Sequence, residues 1–368
     1  MGNEHHRFMQ MALDEAKKGL GRTSPNPAVG AVVVAEGEVV GRGYHQKAGT
    51  PHAEVHALAD AGPAAKGATL YVTLEPCNHT GRTPPCTEAI LRAGIAAVVI
   101  GMSDPNPQVT GGGAERLKAE GVEVRSGVLE SQCRALNYPF IKHSATGLPW
   151  VIMKAGMSLD GKMTLLPKQG AAMTGPNANR YVHQLRNQVD AILIGVDTAI
   201  IDDPSLTTRL EGVVATRDPL RIVLDTHLRL PPEASMLAQQ SAAPTWVFCG
   251  KDACCQKEAL LTRAGAAVHR LPVDTAGWVG LVAVLQFLGQ QNITSVLVEG
   301  GAGIHGAMYG QGLVDEVQLL YAPFIAGDHG TPLVRGYSLD SRSAAPALTD
   351  IAVHKLGNDI LFKALVSR

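Results

Sequence analysis

Apolar positions along the chain change period repeatedly, and the changes mark elements. Residues 4–18 carry Phe8, Met11, Leu13 and Ala16 at roughly helical spacing, and Gly19 and Gly21 end the pattern. Pro25 and Pro27 then hold an extended loop around Asn26. Residues 31–35 and 39–44 read as strands joined by a turn at Glu36-Gly37. A helix opens at His52, a strand covers 68–74, and Pro84-Pro85-Cys86 starts another helix. A strand at 96–101, a helix at 114–120 and a strand at 122–125 follow. This alternation predicts a three-layer α/β domain.

A second segment begins near Gly147-Leu148-Pro149, dividing the chain into domains 1–146 and 147–368. WVIMKAGMSLDGK reads as a strand running into a turn at Asp160-Gly161, 177–188 as a helix, and 191–195 as a buried strand. Strands are expected at 221–225 and 245–249, and helices near 257–264 and 278–290. SVLVEGGAGIHGAMYG gives a strand, a glycine-rich turn and a helix; 316–322 and 351–365 are strand-rich. There is no internal repeat and no low-complexity tract.

Composition narrows the class. A chain of 368 residues suits two domains, and 45% hydrophobic against 18% charged residues is enough to bury sizeable cores. A net charge of -1 and 4% aromatic residues argue against a nucleic-acid partner, which needs a basic surface or stacking rings. Six scattered cysteines read as reduced thiols of a cytoplasmic protein rather than as a disulfide framework. The N-terminus has no apolar signal core, and Gly2 is followed by His6 where a myristoylation signal needs Ser or Thr. No run of about 18 apolar residues predicts a membrane span.

The chemistry concentrates between His52 and Cys86. HAEVHAL supplies His52 and Glu54, and PCNHTGRTPPC supplies Cys77 and Cys86. One imidazole and two thiolates suit Zn²⁺ and leave a fourth position open, as a catalytic zinc that acidifies a water requires. This order is that of zinc nucleobase deaminases, in which the Glu shuttles protons and is not a ligand. His56, one turn beyond His52, is read as core or as packing against the site, and His5-His6 as a solvated helix start. Eight residues separate Cys77 from Cys86, a loop whose polar members His79 and Arg82 can carry substrate contacts; Arg82 offers a forked donor to a phosphate. Asn26 and His45 are placed on the opposite wall. Cys249, Cys254 and Cys255 have no histidine partner pattern and read as core or helix-start thiols.

TSPNPAVGAVV, HAEVHAL, YVTLEPCNHTGRTPPC and DPNPQV, followed by KAGMSLDGK, RIVLD, LVEGG and GLVDE, resemble the bifunctional riboflavin-biosynthesis deaminase–reductase family over nearly the whole chain. The resemblance implies a cytidine-deaminase-like domain followed by a dihydrofolate-reductase-like α/β domain. It implies hydrolytic deamination of a diaminopyrimidine ribotide phosphate at one zinc, then NADPH-dependent reduction of the ribosyl group to ribityl. Homo-oligomers are expected. Zinc falls to His52, Cys77 and Cys86, the proton shuttle to Glu54, and pyrimidine contacts to Asn26, His45, His79 and Arg82. In the second half, Met157, Ala172, Thr198, Asp202, Thr226 and Gly301, Ala302, Gly303, Ile304, His305, Gly306 and Ala307 fall on cofactor positions. Lys154, Arg186, Leu206, Arg209 and Glu299 fall on substrate positions. Gly303 is expected where bare backbone enters the helix, at angles that a branched side chain would resist. The chain departs from the family at Gly170 and Ala172, where Ser and Trp are common.

Two other readings use the same residues: a nucleic-acid deaminase with a C-terminal binding module, and a deaminase whose second half only binds nucleotide or assembles subunits. Charge and aromatic content speak against the first. Asp202, Arg209 and Glu299 together speak against the second, although Asp202-Asp203 before Pro204 also reads as an ordinary turn.

Overall fold

The structure, a computed structural model, describes residues 2–79, 84–105, 112–170, 172–213 and 215–367. The chain divides into two compact units, Met1–Gly147 and Leu148–Arg368. No described helix is long and apolar enough to cross a membrane.

The N-terminal unit runs α1 (Gly2–Lys17), β1 (Gly30–Ala35), β2 (Glu38–Tyr44), α2 (Ala53–Ala61), β3 (Thr69–Leu74), α3 (Cys86–Ala93), β4 (Ala97–Met102), α4 (Gly113–Ala119), β5 (Glu123–Ser126), α5 (Glu130–Leu136) and α6 (Tyr138–Thr146). Its sheet has the order β2-β1-β3-β4-β5. β1 is antiparallel to both neighbours, while β3, β4 and β5 are parallel. The largely apolar runs of β1, β3 and β4 are buried because helices cover both faces. α5 and α6 lie outside the sequence expectation. Their contribution is specific: the buried Asn137 between them accepts the Ala28 N–H (2.9 Å) and donates to the Ala28 carbonyl (3.1 Å). That pair fixes the loop that presents Asn26.

The C-terminal unit runs β6 (Trp150–Ser158), α7 (Pro176–Gln188), β7 (Ala191–Gly195), α8 (Val196–Asp202), β8 (Leu220–Leu224), β9 (Thr245–Gly250), α9 (Cys255–Arg263), β10 (Ala266–Leu271), α10 (Leu281–Gln290), β11 (Ser295–Gly300), α11 (Ala302–Gly310), β12 (Glu316–Ala322), β13 (Ala347–Leu356) and β14 (Asp359–Ser367). Nine strands form one sheet, β10-β9-β8-β7-β11-β6-β12-β14-β13, parallel from β10 to β12 and closed by an antiparallel hairpin. Alternate residues feed two cores: Leu193 goes to one and Ile192 and Ile194 to the other. Asp190 pins the sheet's centre, its Oδ2 accepting from the Thr294 N–H (2.9 Å) and Thr294 Oγ1 (2.7 Å) at the entry to β11. The helix expected from residue 278 starts at Leu281, because Val279 is bridged to Val273.

Two glycines place the helix that follows His52. A Cβ on Gly43 would meet Ala53 O and Ala57 N at 2.4 Å each, and one on Gly41 would meet Ala57 O at 2.3 Å. Both sit on the same face of β2, so α2 lies directly on the strand's backbone. We expect Gly43→Val to force α2 off the sheet, at a cost of about 1–3 kcal/mol. Denaturant unfolding with metal analysis of the surviving folded fraction checks this: stability and zinc content should fall together.

Candidate active sites

In the N-terminal unit three elements deliver the metal-ligand candidates. His52 caps α2 in extended conformation, Cys77 follows β3, and Cys86 is the first residue of α3. His52 Nδ1 lies 3.1 Å from Cys86 Sγ and 3.5 Å from Cys77 Sγ, and the Cys86 N–H points at Cys77 Sγ (3.4 Å). One ligand atom from each residue falls within 4.8 Å of the others. The Cys86 thiol and the His52 ring, both bonded to Cys77, pull the Cys77 thiol down to about 4, whereas the bond to Cys77 and burial push Cys86 up. One imidazole and two thiols thus converge in a soft N/S pocket, and this donor set fits Zn²⁺ with one position left for water.

Glu54 is buried on the first turn of α2. Burial pushes its carboxyl above the usual range, against the pull of the His52 charge. A carboxyl that holds a proton more tightly than usual beside a metal set suits proton transfer. On the opposite wall the buried His45 has Nδ1 3.2 Å from the Pro51 carbonyl and Nε2 3.1 Å from Asn26 Nδ2. The carbonyl requires a proton on Nδ1, so Nε2 accepts from the Asn26 amide, whose oxygen is left for a ligand. His79 is exposed in the loop after Cys77, and Arg82 lies outside the described residues. His5 departs from the sequence expectation: it is half-buried, with Nδ1 3.0 Å from the Tyr71 hydroxyl, while His6 is exposed.

In the C-terminal unit a cleft of about 770 Å³ opens beside the C-terminal ends of parallel strands, where α/β ligand sites collect. Glu299 ends β11 and receives two cations. Arg186 from α7 forms a fork, Nε to Oε1 at 2.9 Å and Nη2 to Oε2 at 2.7 Å, and Lys154 Nζ from β6 lies 3.1 Å from Oε2. Burial alone would raise the Glu299 carboxyl, but the charges of Arg186 and Lys154 outweigh it and hold the group well below the carboxylate range. Lys154 is lowered by burial, against the attraction of Glu299.

The glycine-rich turn sits at the same cleft. Gly301 has φ +84°, and a Cβ there would lie 3.3 Å from Thr198 Oγ1. Gly303 is an ordinary helical residue, and a Cβ on it would meet nothing within 4 Å. The backbone demand therefore falls on Gly301, not on Gly303 as the sequence suggested. The start of α11, with free N–H groups and bare glycine backbone, fits a nucleotide diphosphate.

Two family models match: the cytidine and deoxycytidylate deaminase zinc-binding region over residues 2–102 and the RibD C-terminal domain over 149–362. The riboflavin biosynthesis protein RibD of Bacillus amyloliquefaciens is 41% identical over 359 residues, covering 97% of this chain and 95% of its own. The chain belongs to the RibD family. RibD of Escherichia coli is 40% identical over 96% of this chain and 97% of its own. Among solved structures, Acinetobacter baumannii RibD superposes with a TM-score of 0.86 at 35% identity, covering all of both chains. The Thermotoga maritima diaminohydroxyphosphoribosylaminopyrimidine deaminase/5-amino-6-(5-phosphoribosylamino)uracil reductase gives 0.85 at 34%, covering 99% of each.

Of the positions that the RibD resemblance suggested, Lys154, Ala172, Thr198, Asp202, Glu299, Gly301, Ala302 and Gly303 line the cleft. The others do not. Arg186 stands behind Glu299, with Nη1 on the Thr207 carbonyl (3.2 Å). Arg209 is exposed, with Nη1 3.2 Å from Thr207 Oγ1. Met157 and Leu206 are buried, and Thr226 Oγ1 accepts the Val279 N–H (3.0 Å). Ile304 packs on Gly195. His305 is buried with Nδ1 3.2 Å from the Leu333 carbonyl, and burial pushes its ring down to about 4. A Cβ on Gly306 would strike Arg335 O at 1.9 Å, which leaves that glycine and Ala307 to helix packing. Gly170 abuts Asp202: a Cβ there would fall 2.3 Å from Asp202 Oδ1.

Sequence reasoning passed over Glu75, whose carboxylate accepts from Asp104 N–H (3.3 Å) and Ala114 N–H (3.1 Å). Asp104 opens the DPNPQV stretch and Ala114 follows it, and only the Glu-Pro-Cys triplet hinted at a role. The ligand assignment predicts that Cys77→Ser or Cys86→Ser removes most of the zinc, since each thiolate is one of three protein ligands. Metal analysis of the purified variants checks this; full zinc content in both would contradict the assignment.

Proposed function

We propose that the two sites described above divide two consecutive reactions between them. The chain is a bifunctional deaminase–reductase of riboflavin biosynthesis, with zinc and NADPH as cofactors. In the N-terminal unit the substrate is 2,5-diamino-6-ribosylamino-4(3H)-pyrimidinone 5′-phosphate. Its 2-amino carbon gains a water oxygen, the carbon–nitrogen bond breaks, and ammonia leaves. Zinc, held by His52, Cys77 and Cys86, supplies the acidity that makes water nucleophilic near neutral pH. Glu54 takes the water's proton and passes it to the departing nitrogen, and burial raises its affinity for that proton. Asn26, fixed by His45, presents its amide oxygen to the pyrimidine, and the family resemblance assigns contacts with its outer groups to His79 and Arg82.

In the C-terminal unit the ribosyl group of the deaminated product takes up two electrons and two protons to become ribityl, giving 5-amino-6-(5-phosphoribitylamino)uracil. NADPH supplies the two electrons. Lys154 and Glu299 form a rigid, buried polar wall against the sugar, and Arg186 braces Glu299 from behind. Thr198, Asp202 and the start of α11 hold the cofactor, with Ala172 across the cleft.

The observation that carries this reading is the coexistence of a convergent His/Cys/Cys set and a strand-end cleft built on Glu299 and Gly301, each in its own compact unit. A homo-oligomer fits the edge strand β13, which leaves Ile351 58% and Val353 62% exposed. Six free thiols fit the cytoplasm.

Separate units make the two activities separable. Glu54→Gln should retain zinc and lose deamination by roughly 10²–10⁴-fold, the usual worth of a general acid–base. Reduction of supplied deaminated intermediate, followed at the nicotinamide absorbance, should be unchanged. Normal deamination by this variant would remove Glu54 from the mechanism.

A further inference from the structure

The reductase cleft carries a cation that takes no part in the Glu299 cluster. Arg229 lies in the loop after β8, three residues beyond Thr226, and lines the cleft. One nitrogen is committed: Nη2 donates to Asp197 Oδ1 at 2.6 Å. Its Nε and Nη1 make no hydrogen bond among the described residues. The pair is open to water, with the Arg229 side chain 44% and the Asp197 side chain 76% exposed, so it adds little to stability.

Its position relative to the cofactor follows from a chain of neighbours. Glu299 marks the end where the sugar reacts. Gly301, two residues on, begins α11 and lies against Thr198. Asp197 precedes Thr198 at the start of α8, and Arg229 is bonded to Asp197. A dinucleotide with its nicotinamide beside Glu299 and its diphosphate at the start of α11 sends its adenosine ribose toward Arg229. The 2′ position of that ribose is where NADPH and NADH differ, one bearing a phosphate and the other a hydroxyl. A guanidinium with free N–H groups matches a dianionic phosphate, whereas a lone carboxylate beside the ribose would favour the hydroxyl. Here the guanidinium neutralises the carboxylate and presents its remaining edge.

We propose that Arg229 binds the adenosine 2′-phosphate and sets the preference for NADPH over NADH, with Asp197 aiming the guanidinium. The proposal rests on reading this cleft as the NADPH site. Arg335, an exposed cation whose backbone N–H bonds the Ala302 carbonyl (2.8 Å) at the start of α11, is one rival position for the phosphate, and the exposed Lys168, which also lines the cleft, is another.

The test is calorimetric titration of the full chain with adenosine 2′,5′-bisphosphate, 5′-AMP, NADPH and NADH. The wild-type chain should bind the bisphosphate about tenfold or more tightly than 5′-AMP, as one charge-assisted contact predicts. Arg229→Gln should bring that ratio close to one by weakening the bisphosphate and NADPH, leaving 5′-AMP, NADH and deamination unchanged. Arg229→Lys, which keeps the charge and loses the fork, should fall between. An unchanged ratio in Arg229→Gln, or equal weakening of both nucleotides, overturns the proposal. So does a ratio that collapses in Arg335→Gln and survives in Arg229→Gln, and so does a wild-type chain that binds the two adenosine nucleotides equally. A wild-type chain that binds neither NADPH nor NADH removes the reductase reading of the cleft, and the proposal with it.

Discussion

A carboxylate taken out of water must be accompanied by a cation or a proton, and each unit of this protein buries one beside its reactive groups. The two are resolved in opposite ways. Among the described residues Glu54 has no permanent cationic side chain among its electrostatic partners, and burial raises its affinity for a proton. Glu299 receives the Arg186 fork and the Lys154 ammonium, whose charges outweigh burial and hold its carboxyl below the carboxylate range. The first is a group that can carry a proton; the second is a fixed negative charge that orders two cations at a strand end. A single physical cost, desolvation, thus yields a proton shuttle in one unit and a rigid binding wall in the other.

Both arrangements depend on backbone approach that only glycine allows. Gly41 and Gly43 let α2 rest on β2, which fixes the height of His52 and Glu54 above the sheet. Gly301, in left-handed conformation, turns the chain from β11 into α11 and brings the helix start against Thr198. Around them, long-range polar contacts lock the loops: Asn137 on Ala28, Glu75 on Asp104 and Ala114, Asp190 on Thr294.

The sequence revealed the zinc site well, because ligand chemistry restricts residue type and because His52, Cys77 and Cys86 lie within one short stretch. Most strands were also legible, since their apolar runs are short and bounded by turn residues. The short helices α5 and α6 were not: α6 buries none of its residues and so leaves no periodic stripe. Lys154, Arg186 and Glu299 could be named one by one from motif resemblance, but their mutual contact spans 113 residues between Arg186 and Glu299 and has no local signature. The placement of Gly303 failed for a related reason. A run of glycines shows that the backbone turns tightly, but not which residue takes the unusual φ. Arg229 escaped notice because nothing in its neighbours' sequence marks it, and Glu75 because the Glu-Pro-Cys triplet alone does not show what its carboxylate holds; the fold brings both to a site.

The central claim is that one chain holds two chemically independent sites, a metal site in the first unit and a dinucleotide cleft in the second. The most direct measurement strips zinc from the full chain with a chelator, supplies the deaminated intermediate, and follows NADPH oxidation. The account predicts that deamination disappears and returns on adding zinc, while NADPH oxidation proceeds at the rate of the untreated protein throughout. Loss of NADPH oxidation on removal of zinc, in a chain that remains folded, would contradict it.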